Sequence, residues 1–158
     1  APARLSGGLR RGLWIVSALV VAQVMLGGWV STNYAVLACS DFPMCQGSWW
    51  PTMDFATGFQ WWRELGLDRS GAAIPFAALT AIHMAHRIFA VLVIAALGWA
   101  AWRLWRADAS LRPQARWLAL GAACFTLAGW LFWRWENLAT RRTLRVPKSP
   151  AGMEPTEL

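Results

Sequence analysis

The sequence predicts an all-α integral membrane helical bundle, and three observations carry that reading. The 158 residues are 57% hydrophobic and only 15% charged, with a mean hydropathy of +0.36, which is too apolar for a soluble domain of this size. Long apolar runs are bracketed by arginines. Thirteen Trp stand against one Tyr, which suits a surface lying largely at lipid interfaces. A net charge of +7 would suggest nucleic acid in a soluble chain. Here the basic residues flank the apolar runs and set topology, so lipid is the expected partner and nucleic acid is not.

The first run, Leu13 to Val30, contains Gln23 as its one strongly polar residue, and it predicts a spanning helix over about 10–31. Arg4, Arg10 and Arg11 precede it, and no small-residue cleavage site follows, so it reads as a membrane helix rather than a signal peptide. Gly27 and Gly28 within it allow close helix packing, and Gln23 is the kind of polar group that bonds across helices. The second run, Ala77 to Trp102, predicts a spanning helix over about 74–105, with Pro75 near its start, where proline is tolerated.

Arg103, Arg106, Arg112 and Arg116 follow the second run. Three arginines before the first helix and four after the second place both ends on the cytoplasmic side. The connecting loop, about 32–73, then lies outside, in the periplasm or an equivalent compartment. Within it, Phe59 to Leu67 predicts a short interfacial helix, and Trp49, Trp50, Trp61 and Trp62 predict anchoring at the outer surface.

The third run, Trp117 to Trp133, predicts a helix over about 115–134. Its seventeen residues at ~1.5 Å each reach ~25 Å, against a ~30 Å hydrocarbon core. The preferred reading is a spanning helix; a re-entrant or interfacial element is the alternative. If it spans, Arg134, Arg141, Arg142, Arg145 and Lys148 lie outside, against the positive-inside tendency. Residues 134–158 form a basic, Pro-containing tail expected to be disordered.

Cys39 and Cys45 flank Ser-Asp-Phe-Pro-Met in the outer loop, where disulfides are permitted, and Pro43 favours a turn between them. A structural disulfide is the plain reading. A redox-active pair passing electrons from a thiol partner to a quinone, and a copper site with Met44 or Met53, are the sharper ones. Cys124, in the third run, is expected to be an inert core thiol. Asp41 and Glu64 are expected to be solvated loop carboxylates.

The only two histidines, His83 and His86, sit one helical turn apart in the second run, with Arg87 following. Ionisable groups at membrane depth face a site rather than lipid, and residues three apart share a helix face. This pattern suggests an axial ligand for an iron macrocycle, with Arg87 pairing with an acidic group of the same ligand. Both imidazoles cannot take one iron, because axial ligands lie on opposite ring faces. His86 is the expected iron ligand and His83 a supporting residue. Polar groups hydrogen-bonded to neighbouring helices are the alternative for both.

Three stretches in order, Gln23 to Tyr34, Ala38 to Pro51 with its Cys-x-Asp-x-Pro-x-Cys-x-Gly core, and Ala81 to Arg87, resemble the heme A synthase (CtaA-type) family of cytochrome oxidase assembly proteins. The resemblance covers about residues 10–106. It implies eight helices in two four-helix halves, each holding a heme between histidines of different helices. It implies a bacterial inner-membrane oxidoreductase that converts heme O to heme A, this chain being the opening of the heme b half. His86 then matches the axial histidine, Arg87 a propionate partner, and Cys39 and Cys45 the outer-loop pair. His83 stands where the substrate half carries a glutamate, and a histidine supplies no fixed negative charge. The second axial ligand would come from the remaining helices of the family fold or from a second chain. A non-enzymatic membrane assembly factor, or a degenerate fragment without turnover, is the alternative.

Overall fold

A computed structural model describes residues 5–143, which are mostly helical, with no strands among them. Helix α1 runs Gly7–Thr32, α2 Phe55–Gly58, α3 Phe76–Ala107 and α4 Arg112–Thr143, with single 3₁₀ turns at Ala35–Ala38 and Ala109–Leu111. By length and composition, α1 and α3 are the two helices apolar enough to cross a membrane. The described residues divide into two compact units between Ala122 and Ala123.

Each boundary has a local cause. Ser6 caps α1 by accepting from the Leu9 amide at 3.3 Å, which starts that helix before residue 10. Pro75 stands at the N-cap of α3, so the second helix starts at Phe76 rather than 74. Asp108 ends α3 in extended geometry and turns its carboxylate onto the Ser110 amide at 2.7 Å. Pro113 sits in the first turn of α4, where its missing N–H costs nothing. Helix α4 continues past the expected 134 through Thr143. The rest of the expected disordered tail, 144–158, lies outside the described residues.

Helix α1 packs along α3 and leaves large apolar side chains facing outward. Trp14, Ile15, Val21, Val24, Val91 and Leu92 are all exposed, as expected of helices solvated by lipid rather than by a protein core. At one end Leu9 and Leu104 are buried with Ala115. At the other, Val30, Ala35 and Ile82 form a second cluster, flanked by Trp29, Phe59 and Leu79. The Trp99 ring lies on Gly12 so closely that a Cβ there would overlap it.

Two expectations are corrected. The short outer helix lies at Phe55–Gly58 rather than 59–67. Asp54 caps it, accepting from the Thr57 amide at 3.0 Å. Farther on, Gly66 adopts φ 80°, a left-handed conformation that ends regular helix, and Arg63 Nη1 bonds the Leu67 carbonyl at 2.8 Å. Cys124 is exposed, not a core thiol. Side chains from Ala123 to Leu127 are exposed with it, so the apolar character of that run is not consumed by burial among described residues.

Gly58 fits under α3: a Cβ there would stand 2.8 Å from the Ala78 carbonyl oxygen. Gly58→Ala is expected to destabilise the chain by about 1–3 kcal/mol, seen as a lower unfolding midpoint in detergent. Gly28→Ala, with nothing within 4 Å, should cause no fall. Hydrogen bonds from Thr57 hold the Asp54 carboxyl below its ordinary value. A depressed carboxylate contributes fully above its unfolded pKa and loses that contribution as pH falls through the folded one. Amide exchange at Thr57, corrected for intrinsic rate, should therefore lose protection on acidification below the ordinary carboxylate range and not before.

Candidate functional site: the histidine turn of α3 and the loop above it

The sequence pattern places His83, His86 and Arg87 on one stretch of α3, and the structure gives each a different neighbour. His86 turns to α1. Its ring lies against Gly27, where a Cβ would come within 3.3 Å of His86 Cε1. Gln23, one turn earlier on α1, places its amide Nε2 3.1 Å from His86 Nδ1 and 3.3 Å from Nε2, and donates to the His86 carbonyl at 3.3 Å. A neutral imidazole accepts through one nitrogen and donates through the other, so Gln23 sets ring orientation from the partner helix. Gln23 Oε1 is buried without a hydrogen-bond partner. Of the adjacent glycines, Gly27 is the close-approach position and Gly28 faces open space.

His83 is buried, and its Nε2 accepts from Arg87 Nε at 3.2 Å across one helical turn. Arg87 Nη1 donates to the Asp41 and Met44 carbonyls, both at 2.9 Å, and its guanidinium lies 5.5 Å from the Phe42 ring centroid. Among the described residues no carboxylate pairs with it. Its contacts are thus His83 below and the Cys39–Cys45 loop above.

That loop is closed by the Cys39–Cys45 disulfide, with Cα atoms 4.7 Å apart. Asp41 is not merely solvated: its carboxylate accepts from the Gln46 amide at 2.6 Å and the Gly47 amide at 2.9 Å. Gln46 and Gly47 adopt φ 56° and 73°, which the two charge-assisted bonds help hold. The Gln46 side chain donates to the Ala38 carbonyl at 3.1 Å and to Thr80 Oγ1 at 2.8 Å, tying the loop to α3 a second time. With the sulfurs bonded to each other, no thiolate is left for copper, and no group of three His, Cys, Asp or Glu among described residues is placed to hold a metal.

Beside the histidine turn lies an apolar cavity of about 340 Å³, lined by Ala22, Met25, Leu26, Trp29, Phe59, Trp61 and Phe89. Phe89 is one turn beyond His86 on α3. The cavity's outer rim contains a cluster that sequence reasoning missed. Arg63 donates to Asn33 Oδ1 and lies 5.7 Å from the Trp29 ring, while Trp29 Nε1 donates to the Gly58 carbonyl at 3.0 Å. Desolvation lowers the Arg63 pKa, and Asp68 opposes it. Polar residues at the ends of apolar runs, Asn33 and Arg63, were the available signal, but 30 residues separate them.

The arrangement fits a planar iron macrocycle. The His86 imidazole has a glycine of the partner helix under its ring, and an apolar cavity is lined by neighbouring positions of the same two helices, Met25, Leu26 and Phe89. A family model described as cytochrome oxidase assembly protein, COX15-CtaA, matches residues 1–132. Heme A synthase from Shewanella oneidensis is 37% identical over 86 residues, which are 54% of this chain and 26% of that protein. The chain therefore spans about a quarter of that curated relative's length. No solved structure matches the chain significantly.

Thr80→Val removes one of the two acceptors that hold the Gln46 side chain. At about 1 kcal/mol for a net hydrogen bond, the Gln46 and Gly47 amides are expected to exchange about fivefold faster. Unchanged exchange would show that the disulfide, the Asp41 carboxylate and the Arg87 contacts hold the loop without Thr80.

Proposed function

Because this chain belongs to the COX15-CtaA family of cytochrome oxidase assembly proteins, we propose that it is part of a heme A synthase-type membrane oxidoreductase and contributes to its heme b-binding half. The observation that carries the reading is His86, held against Gly27 and Gln23 of α1 beside the apolar cavity. His86 would hold the heme iron. When bound, heme b supplies reversible one-electron chemistry at its iron, and ligation and burial set its potential.

The chain's own residues do the rest. Gln23 orients the His86 ring from α1, and Met25, Leu26, Trp29 and Phe89 line an apolar cavity between the same helices. His83 accepts from Arg87 through Nε2 and positions the guanidinium. Arg87, held by the Asp41 and Met44 carbonyls, places a positive charge at the outer end of the site, where a heme propionate would be its partner. A second iron ligand would come from the remaining helices of the family fold or from a second chain. Conversion of heme O to heme A belongs to the whole assembly, since a histidine at 83 supplies no fixed negative charge. The expected setting is the bacterial inner membrane, with the N-terminus cytoplasmic and loop 32–73 periplasmic.

One observation favours a second reading, a membrane assembly factor without turnover: the His86 ring already has a protein partner in Gln23, as a structural histidine between helices does.

Absorption spectra of the detergent-purified chain, oxidised and reduced, separate the two. The expected result is a low-spin heme spectrum that His86→Ala abolishes and His83→Ala shifts or weakens. Equal retention in both variants overturns the ligand assignment. A wild-type chain without heme after expression with ample heme overturns the cofactor reading and leaves the assembly-factor one. Gly27→Val, which crowds His86 Cε1, is expected to lower heme content while helical content stays constant.

A further inference from the structure

The opposite end of the helix pair carries positive charge that the heme reading does not use. Arg103 and Arg106 line a cavity of about 450 Å³ together with Ser6, Leu9, Trp102 and Ala107. Their guanidiniums are held by indoles: Arg103 lies 5.7 Å from the Trp99 ring and Arg106 5.1 Å from the Trp102 ring. Trp99 is itself seated on Gly12 of α1. Arg112 and Arg116 stand 5.5 and 5.3 Å from the Trp105 ring, so three tryptophans spaced three residues apart carry four guanidiniums. Among the described residues, neither Arg103 nor Arg106 pairs with a carboxylate. Asp108, the acidic residue closest in sequence, turns its carboxylate onto Ser110.

We propose that this cavity binds the phosphate group of an anionic phospholipid through Arg103 and Arg106. Three features select a lipid phosphate over a small soluble anion. The charges stand at the end of α3, one of the two membrane-spanning helices, where headgroups lie. Leu9 and Trp102 make part of the lining apolar, which suits the glycerol backbone of a lipid and offers nothing to a bare ion. The guanidiniums lie over indoles, the side chain favoured at a bilayer boundary. Stacking also keeps the arginines ordered before a ligand arrives, so less entropy is lost on binding.

This inference is independent of the heme reading and is tested without heme. Native mass spectrometry of the full chain released from mixed micelles compares phosphatidylglycerol with phosphatidylcholine of the same acyl chains. The expected result is a phosphatidylglycerol adduct retained at least tenfold over phosphatidylcholine. Arg103→Gln with Arg106→Gln should weaken the adduct about thirtyfold, at the usual contribution of an interfacial arginine, with helical circular dichroism unchanged. Arg134→Gln, outside the cavity, should leave it intact. Equal retention of the two lipids by the wild-type chain overturns the proposal, whether or not the double variant folds. So does full displacement of phosphatidylglycerol by millimolar inorganic phosphate, which would reveal a bare-anion site, or an adduct that the folded double variant keeps.

Discussion

A guanidinium placed inside an apolar helix pair must find partners, and the way Arg87 finds them organises the outer half of this molecule. The side chain is half-buried against the helix. It turns to two backbone carbonyls of the disulfide loop and to the imidazole one turn below. Helix, histidine and loop are thereby joined through one side chain. The cost of desolvating the guanidinium is offset by three hydrogen bonds and by the Phe42 ring.

The loop can serve as that partner because it is rigid for its own reasons. The disulfide closes it, the Asp41 carboxylate bonds two amides across it, and Gln46 ties it to Thr80 on α3. A flexible loop would present its carbonyls to Arg87 only part of the time. The same arrangement frees His86: with His83 engaged by Arg87, the second imidazole is the one that faces the partner helix. There Gln23 and Gly27, one turn apart on α1, provide a polar contact and the space for the ring.

The two ends of the helix pair use arginine differently. At the outer end, Arg87 and Arg63 are drawn into the fold by carbonyls and an amide oxygen. At the other end, Arg103, Arg106, Arg112 and Arg116 lie over indoles. A guanidinium held by backbone carbonyls is fixed in place by the fold, whereas one that only lies over an indole keeps its donors for a ligand, which is why the proposed lipid site belongs at the second end.

Sequence alone determined the helices that dominate this protein, because a membrane span needs nothing beyond length, apolarity and flanking charge. It also brought out the Cys39–Cys45 pair and the His83, His86, Arg87 turn, since these are local patterns, and the family to which the chain belongs follows from them in order. The short outer helix was misplaced because a cap at Asp54 and a left-handed Gly66 outweighed the aromatic run between them. The burial of Cys124 was misjudged because apolarity along a run does not say whether protein or lipid covers it. Only the tertiary structure decided which partner each polar group takes. That Arg87 holds the disulfide loop, that Gln23 rather than a nearer residue meets His86 across 63 positions, and that Asn33 receives Arg63 are all contacts between distant segments. Their geometry is set by helix packing and loop closure, and no local pattern of residue types encodes it.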